Sequence, residues 1–89
     1  MQVRKTKNFI KNFTKRVLPN KALEIKFHER LTLFILDRSN PVLKDHKLSG
    51  RSEGLSAFSI TGDVRVIYFL ESEQSAVFVD IGSHNQVYN

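Results

Sequence analysis

The chain contains no cysteine, which removes disulfides and thiolate metal sites and makes a reducing, cytoplasmic setting the expected one. Glycine and proline are scarce, four and two among 89 residues, so the chain reads as neither disordered nor low in complexity. No apolar run approaches the roughly 18 residues of a membrane helix. The opening MQVRKTKNF also lacks the apolar stretch of a signal peptide, so neither export nor membrane insertion is expected. Acidic residues are sparse in one half only. Residues 1–51 carry 13 Lys and Arg against 4 Asp and Glu, a net +9, whereas residues 52–89 carry a net −4. A basic half-chain implies a polyanionic partner or solvated helix faces, because Lys and Arg gain affinity for nucleic acid by releasing counterions from phosphates.

What is present is 40% hydrophobic residues with seven Phe, enough for one small core, and residues 1–89 are read as a single domain. Between Thr6 and Leu18, Phe9, Phe13 and Val17 recur every four residues while Lys7, Lys11 and Lys15 form a second stripe, the pattern of an amphipathic basic helix. Pro19 ends it and Asn20 is placed to cap the next helix. That helix is expected from Lys21 to Arg38, with Leu23, Phe27, Leu31 and Phe34 or Ile35 on one face. Ile25, Leu33 and Leu36 widen the arc and predict burial of its far end on more than one side.

After Ser39-Asn40-Pro41 a polar connector leads into three β-rich runs, Leu55–Ile60, Val64–Leu70 and Ala76–Ile81, divided by short polar loops that suit antiparallel hairpins. The middle run reads as a central strand. Val3-Arg4-Lys5 can add an edge strand, so the expected fold is α+β: two N-terminal helices packed on a small antiparallel β-sheet in the order β-α-α-β-β-β.

Histidine is the side chain best suited to proton transfer near neutral pH. His28 falls inside the second helix and reads as structural or solvent-facing. His46 in the connector and His84 after the last strand lie in irregular segments, where functional groups are often carried, although either residue taken singly is better explained as incidental. Asp63 fits ordinary turn chemistry. Arg65, alone on an apolar strand, needs either a cross-strand acid such as Asp80 or an anionic ligand. Tyr88 can fasten the chain end to the core. No H-x-x-H or H-E-x-x-H spacing and no Gly-rich phosphate loop occurs, so no metal or other cofactor is expected. The enzymatic reading left is acid–base chemistry on a phosphodiester.

Residues 44–88 resemble the core pattern of the RelE/StbE toxins, in particular the YafQ-like branch. Asp45-His46-Lys47-Leu48-Ser49-Gly50 matches the D-H-x-L-x-G opening, the turn ends in Asp63, Ile67-Tyr68 lies on the apolar strand, and Gly82-Ser83-His84-Asn85-Gln86-Val87-Tyr88 matches the terminal G-[ST]-H-x-x-[LVA]-[FY]. The resemblance implies a RelE-like fold and the toxin of a type II toxin–antitoxin system, a ribosome-dependent mRNA endonuclease working without metal. It assigns cleavage to His46, Asp63, His84 and Tyr88, and phosphate binding to Arg65. It further implies RNA contacts from Lys44, Lys47, Arg51, Lys7, Lys11 and Lys15, a cognate antitoxin as partner, and DNA contact only through that antitoxin. YafQ-like enzymes commonly carry another His on the first strand of the sheet, where this chain has Ser59. The alternative on the same scaffold is an inactive or gyrase-directed, ParE-like relative acting as a binding protein.

Overall fold

Thr6 starts the first helix because its hydroxyl accepts a hydrogen bond from the Phe9 amide, and Asn20 starts the second by accepting from Leu23. In the computed structural model, which describes residues 1–88, these helices are α1 (Lys7–Arg16) and α2 (Lys21–Leu36). Strand β1 (Gln2–Lys5) precedes them, and β2 (His46–Lys47), β3 (Ser56–Ser59), β4 (Val64–Ser72), β5 (Ser75–Ser83) and a short helix α3 (His84–Tyr88) come after. The first helix ends two residues before the expected Leu18, since Pro19 disfavours helical geometry at Leu18. The second stops short of Arg38, where the Asp37 carboxylate takes the Ser39 amide and hydroxyl and turns the chain.

The sheet order is β1-β5-β4-β3-β2, with β4 in the middle as its sequence implies. The expectation of a wholly antiparallel sheet is corrected at one edge, where β1 runs parallel to β5, from Gln2 opposite Ser75 to Lys5 opposite Phe78. The cause is helix α1. Running parallel, the chain leaves β5 at Phe78 and continues as α1 along the same edge. There Asn8 donates to the Val79 carbonyl (2.8 Å), Asn12 to the Asp80 carboxylate (2.7 Å) and Arg16 to the Ile81 carbonyl (3.0 Å). One polar stripe of α1 thereby satisfies the edge that β1 leaves open. Strand β2 was not expected as a strand.

Alternation divides the sheet into two faces. Phe58, Val66, Tyr68, Phe78 and Ile81 join Phe9, Val17, Phe27 and Phe34 in the core. Phe34 stacks on Phe58 with ring centroids 4.5 Å apart and meets Phe78 at 5.4 Å, fixing α2 over the sheet. The expected double burial of the far end of α2 does not occur. Ile35 is 40% exposed and Leu36 77%, and nearer the start of the helix Ile25 is 51% exposed, because the sheet offers α2 only one surface. Ala57, Ser59, Arg65 and Ile67 lie on the opposite face. No helix among the described residues is long and apolar enough to cross a membrane.

Candidate active site

The β3–β4 turn and the end of β5 bring four sequence-selected residues together. Thr61 accepts the amides of Asp63 (3.3 Å) and Val64 (3.0 Å), which tightens the turn. The Asp63 carboxylate then accepts from the backbone amide of His84 (3.3 Å), while the Arg65 guanidinium donates to the Asp63 carbonyl (2.9 Å). Asp63 thus holds His84 through its main chain, not through its imidazole. The rings of His84 and Tyr88 meet edge to face at 4.5 Å, as positions four apart on one helix can. The Tyr88 hydroxyl is buried without a hydrogen-bond partner among the described residues, so any fastening of the chain end there comes from the ring.

Helix α3 exists because of a local signal that the sequence reading passed over. Ser83 accepts from the Gln86 amide (3.3 Å), and the Gln86 side chain accepts from the Ser83 amide (2.8 Å). This S-x-x-Q capping box sets His84 on the first helical turn. Gly82 sits directly opposite Arg65. A Cβ there would stand 2.7 Å from both the Arg16 Nη1 and the Gln86 Oε1, so glycine lets helices α1 and α3 close on the strand.

The expected cross-strand ion pair of Arg65 with Asp80 is absent. A register shift after Ile67 places Asp80 opposite Ile67, and its carboxylate bonds Asn12 and Arg16 of α1. Arg65 is half-buried, with no acidic partner among the described residues.

His46 stands apart from these four but on their face of the sheet. It lies opposite Ala57, which lies opposite Ile67, one row from the Ser59–Arg65 pair. Sheet spacings put its Cα about 12 Å from that of Arg65. Its Nδ1 lies 2.9 Å from the Lys44 carbonyl; a carbonyl only accepts, so Nδ1 carries the proton and Nε2 is left to face solvent. The segment is clamped by a group that sequence reasoning missed. The Asp45 carboxylate accepts from the Tyr68 hydroxyl and, at 3.1 Å, from Arg38. Burial, then the bond to Asp45, pushes the Tyr68 phenol up to about 12. Asp45 ties the residue before His46 to the central strand and to the end of α2.

Of the expected RNA contacts, Lys44, Lys47, Arg51, Lys7, Lys11 and Lys15 are all exposed. Lys47 pairs with Ser56 and so points to the face opposite His46. His28 is exposed on α2 with its ring 5.3 Å from Phe27, away from the site.

The family described as the bacterial toxin of type II toxin–antitoxin systems, YafQ, matches residues 1–89. The chain belongs to the YafQ toxin family. Among solved structures, the YafQ-family chain is similar to YafQ from E. coli, at 21% identity over 99% of this chain and 98% of that one, with a TM-score of 0.82. It also resembles the E. coli DinJ–YafQ complex, at 22% identity over 99% and 98%, TM-score 0.79. A YoeB/ParE toxin from Agrobacterium tumefaciens matches at 17% over 94% and 99%, TM-score 0.77. No curated protein matches by sequence. These likenesses fit the two-helix, five-stranded α+β architecture, and the YafQ-family chain is a type II toxin.

Proposed function

We propose that this toxin is an endoribonuclease that cuts mRNA on the ribosome by acid–base chemistry carried by its own side chains. The observation that carries the reading is Arg65, a half-buried guanidinium without an acid partner among the described residues, at the sheet end where Asp63 and His84 meet. A charge desolvated without a counter-ion is unfavourable until an anion arrives. A phosphodiester is such an anion, and the guanidinium fork matches its two non-bridging oxygens.

In the reaction the ribose 2′-hydroxyl loses a proton and attacks the adjacent phosphorus. The bond to the 5′-oxygen breaks, that oxygen takes up a proton, and the product strand ends in a 2′,3′-cyclic phosphate. His46 has a tautomer suited to the base, since Nδ1–H is committed to Lys44 and Nε2 keeps its lone pair. His84 supplies the acid, held in place by Asp63 and the α3 cap. Arg65 stabilises negative charge on the phosphorane oxygens, and the Tyr88 ring supports His84 and offers a face to the substrate nucleotide. Exposed Lys44, Arg51 and the lysines of α1 supply contacts to ribosomal RNA. The E. coli relative is found in complex with DinJ, which supports a cognate antitoxin for this chain. That antitoxin would carry any contact with DNA. The absence of cysteine supports a cytoplasmic setting.

Ser59 favours a second reading, a binding protein without nuclease activity, because the relatives' extra imidazole is missing. The two separate in one assay, in which purified toxin is added to translating ribosomes and the mRNA ends are mapped. New ends bearing cyclic phosphate are expected, and Arg65→Gln should lower the rate by about 100-fold or more. Intact message with wild-type toxin would overturn the nuclease reading.

A further inference from the structure

A recess opens beside the candidate active site, between α2 and the β3–β4 turn. It has a volume of about 150 Å³ and is lined by Arg30, Val42, Lys44, Ser59, Thr61 and Gly62 among others. At roughly 30 Å³ of liquid volume per water, that is space for about five waters, or a phosphate group with part of its hydration. No acidic residue lines it. Arg30 is half-buried, and neither Arg30 nor Lys44 meets a carboxylate among the described residues.

Its lining residues offer donors. Ile60 donates to the Val64 carbonyl (2.8 Å), and neighbouring residues of an antiparallel strand alternate in the side to which they bond. The Ser59 amide therefore points to the outer edge of β3. Strand β2 does not cover that edge, since it pairs only with Ser56 and Ala57. The chain diverges at Lys44, whose backbone is left-handed (φ 50°), and the recess occupies the gap. The Thr61 hydroxyl already accepts two backbone amides, which leaves its own O–H to donate.

We propose that this recess is a second phosphate site, holding the RNA backbone one step from the phosphate at Arg65. The inference deepens the nuclease reading and rests on it. Ser59 lies directly opposite Arg65 in the sheet, with Cα atoms about 5 Å apart. The two half-buried arginines thus flank one residue, Arg30 from the helical side and Arg65 from the open face. Two cations, a strand-edge amide and a hydroxyl match a phosphodiester's non-bridging oxygens, and the recess runs into the turn that carries Asp63. The role of such a site is register, because a backbone gripped at two successive phosphates cannot slide past the imidazoles.

The test uses the full chain and a labelled RNA hexanucleotide, 2′-O-methylated throughout so that it cannot be cut. Arg30→Gln should weaken binding about tenfold, as loss of a charge-assisted hydrogen bond does. It should also lower the slope of log affinity against log salt by about 0.7, the contribution of one single-strand phosphate. Arg30→Lys keeps the charge and should restore the slope, which separates anion binding from damage to the fold. In the wild type the RNA should shift the amide resonances of Ser59 and Thr61, and Arg30→Gln should abolish those shifts. Unchanged affinity and slope in both Arg30→Gln and Lys44→Gln would overturn the site, as would a loss of affinity confined to an acidic antitoxin peptide. Cleavage by Arg30→Gln at the wild-type KM would overturn it and leave the nuclease reading intact. RNA-induced shifts at Ser59 in a protein that cuts nothing would support the site and sink the nuclease reading instead.

Discussion

Replacing Ser83 by alanine tests whether the order of α3 sets the chemistry at His84. The hydroxyl of Ser83 holds the Gln86 amide at 3.3 Å, half of a capping box whose other half is the 2.8 Å bond from the Ser83 amide to Gln86. Loss of an N-cap side chain costs about 1 kcal/mol, roughly a fivefold change in the local equilibrium. The cost falls on α3 because a five-residue helix is far too short to nucleate or persist alone, whereas the sheet is held by the aromatic core. Were the same free energy lost globally, the melting temperature would drop by about 4–8 °C. Expected instead is a smaller drop in Tm, hydrogen-exchange protection of the Gln86 to Tyr88 amides reduced about fivefold, and a measurable fall in mRNA cleavage that stays below that factor, because protection follows the local equilibrium constant whereas activity follows the ordered fraction. Ser83→Thr, which keeps an acceptor, should restore all three. Reduced protection with unchanged cleavage would refute the claim that the cap positions His84.

Tyr68→Phe removes one of two donors to the Asp45 carboxylate, and a loss of about 1.5 kcal/mol is expected in denaturant unfolding, with Arg38 keeping the carboxylate paired. The same residue gives a pH test. Its phenol is raised in the folded state to about 12, so the stability it contributes is fully present below the ordinary tyrosine range near 10. That stability should fall away as pH rises through about 12, and Tyr68→Phe should lack this alkaline loss. Gly82→Ala places a methyl 2.7 Å from the Arg16 and Gln86 side-chain ends and 3.1 Å from the Gln86 Cβ. It should cost about 1–3 kcal/mol in thermal unfolding and slow cleavage more than Tm alone explains, because both α1 and α3 must shift beside Arg65.

Helices α1 and α2, strands β3, β4 and β5 and the central place of β4 were legible in the sequence because periodicity and turn residues report directly on them. The direction of β1 was not. Val3, Arg4 and Lys5 read the same in either sense, and the choice is made by α1, whose Asn8, Asn12 and Arg16 track the β5 edge only if the strand runs parallel. The apolar residues of α2 misled for a related reason, since hydropathy marks Ile25, Ile35 and Leu36 as core-seeking but cannot say that no second layer exists to receive them. Strand β2 is two residues long, too short for any pattern, and is set by the Asp45 clamp reaching Tyr68 across 23 residues of chain. Helix α3 was announced by Ser83 and Gln86, a signal masked by reading His84 and Tyr88 for chemistry.

The candidate site shows a different limit, because a sequence displays charges without showing which of them cancel. Of the six arginines, Arg4 meets Glu71 at 2.8 Å, Arg16 meets Asp80 at 3.5 Å and Arg38 meets Asp45 at 3.1 Å. Two of those acids lie more than 60 residues away in the chain. Arg51 is exposed and solvated, so Arg30 and Arg65 are left as the half-buried arginines without a carboxylate among the described residues. Both border Ser59, the position at which YafQ-like relatives commonly place another imidazole. A histidine between two uncompensated guanidinium groups would be disfavoured in its charged form by both neighbours, which handicaps it as a proton donor. A serine there adds no charge, and its strand-edge amide remains free to meet the same backbone that the arginines attract. On the proposed nuclease reading, the serine moves this position from proton transfer to grip and leaves acid–base work to His46 and His84.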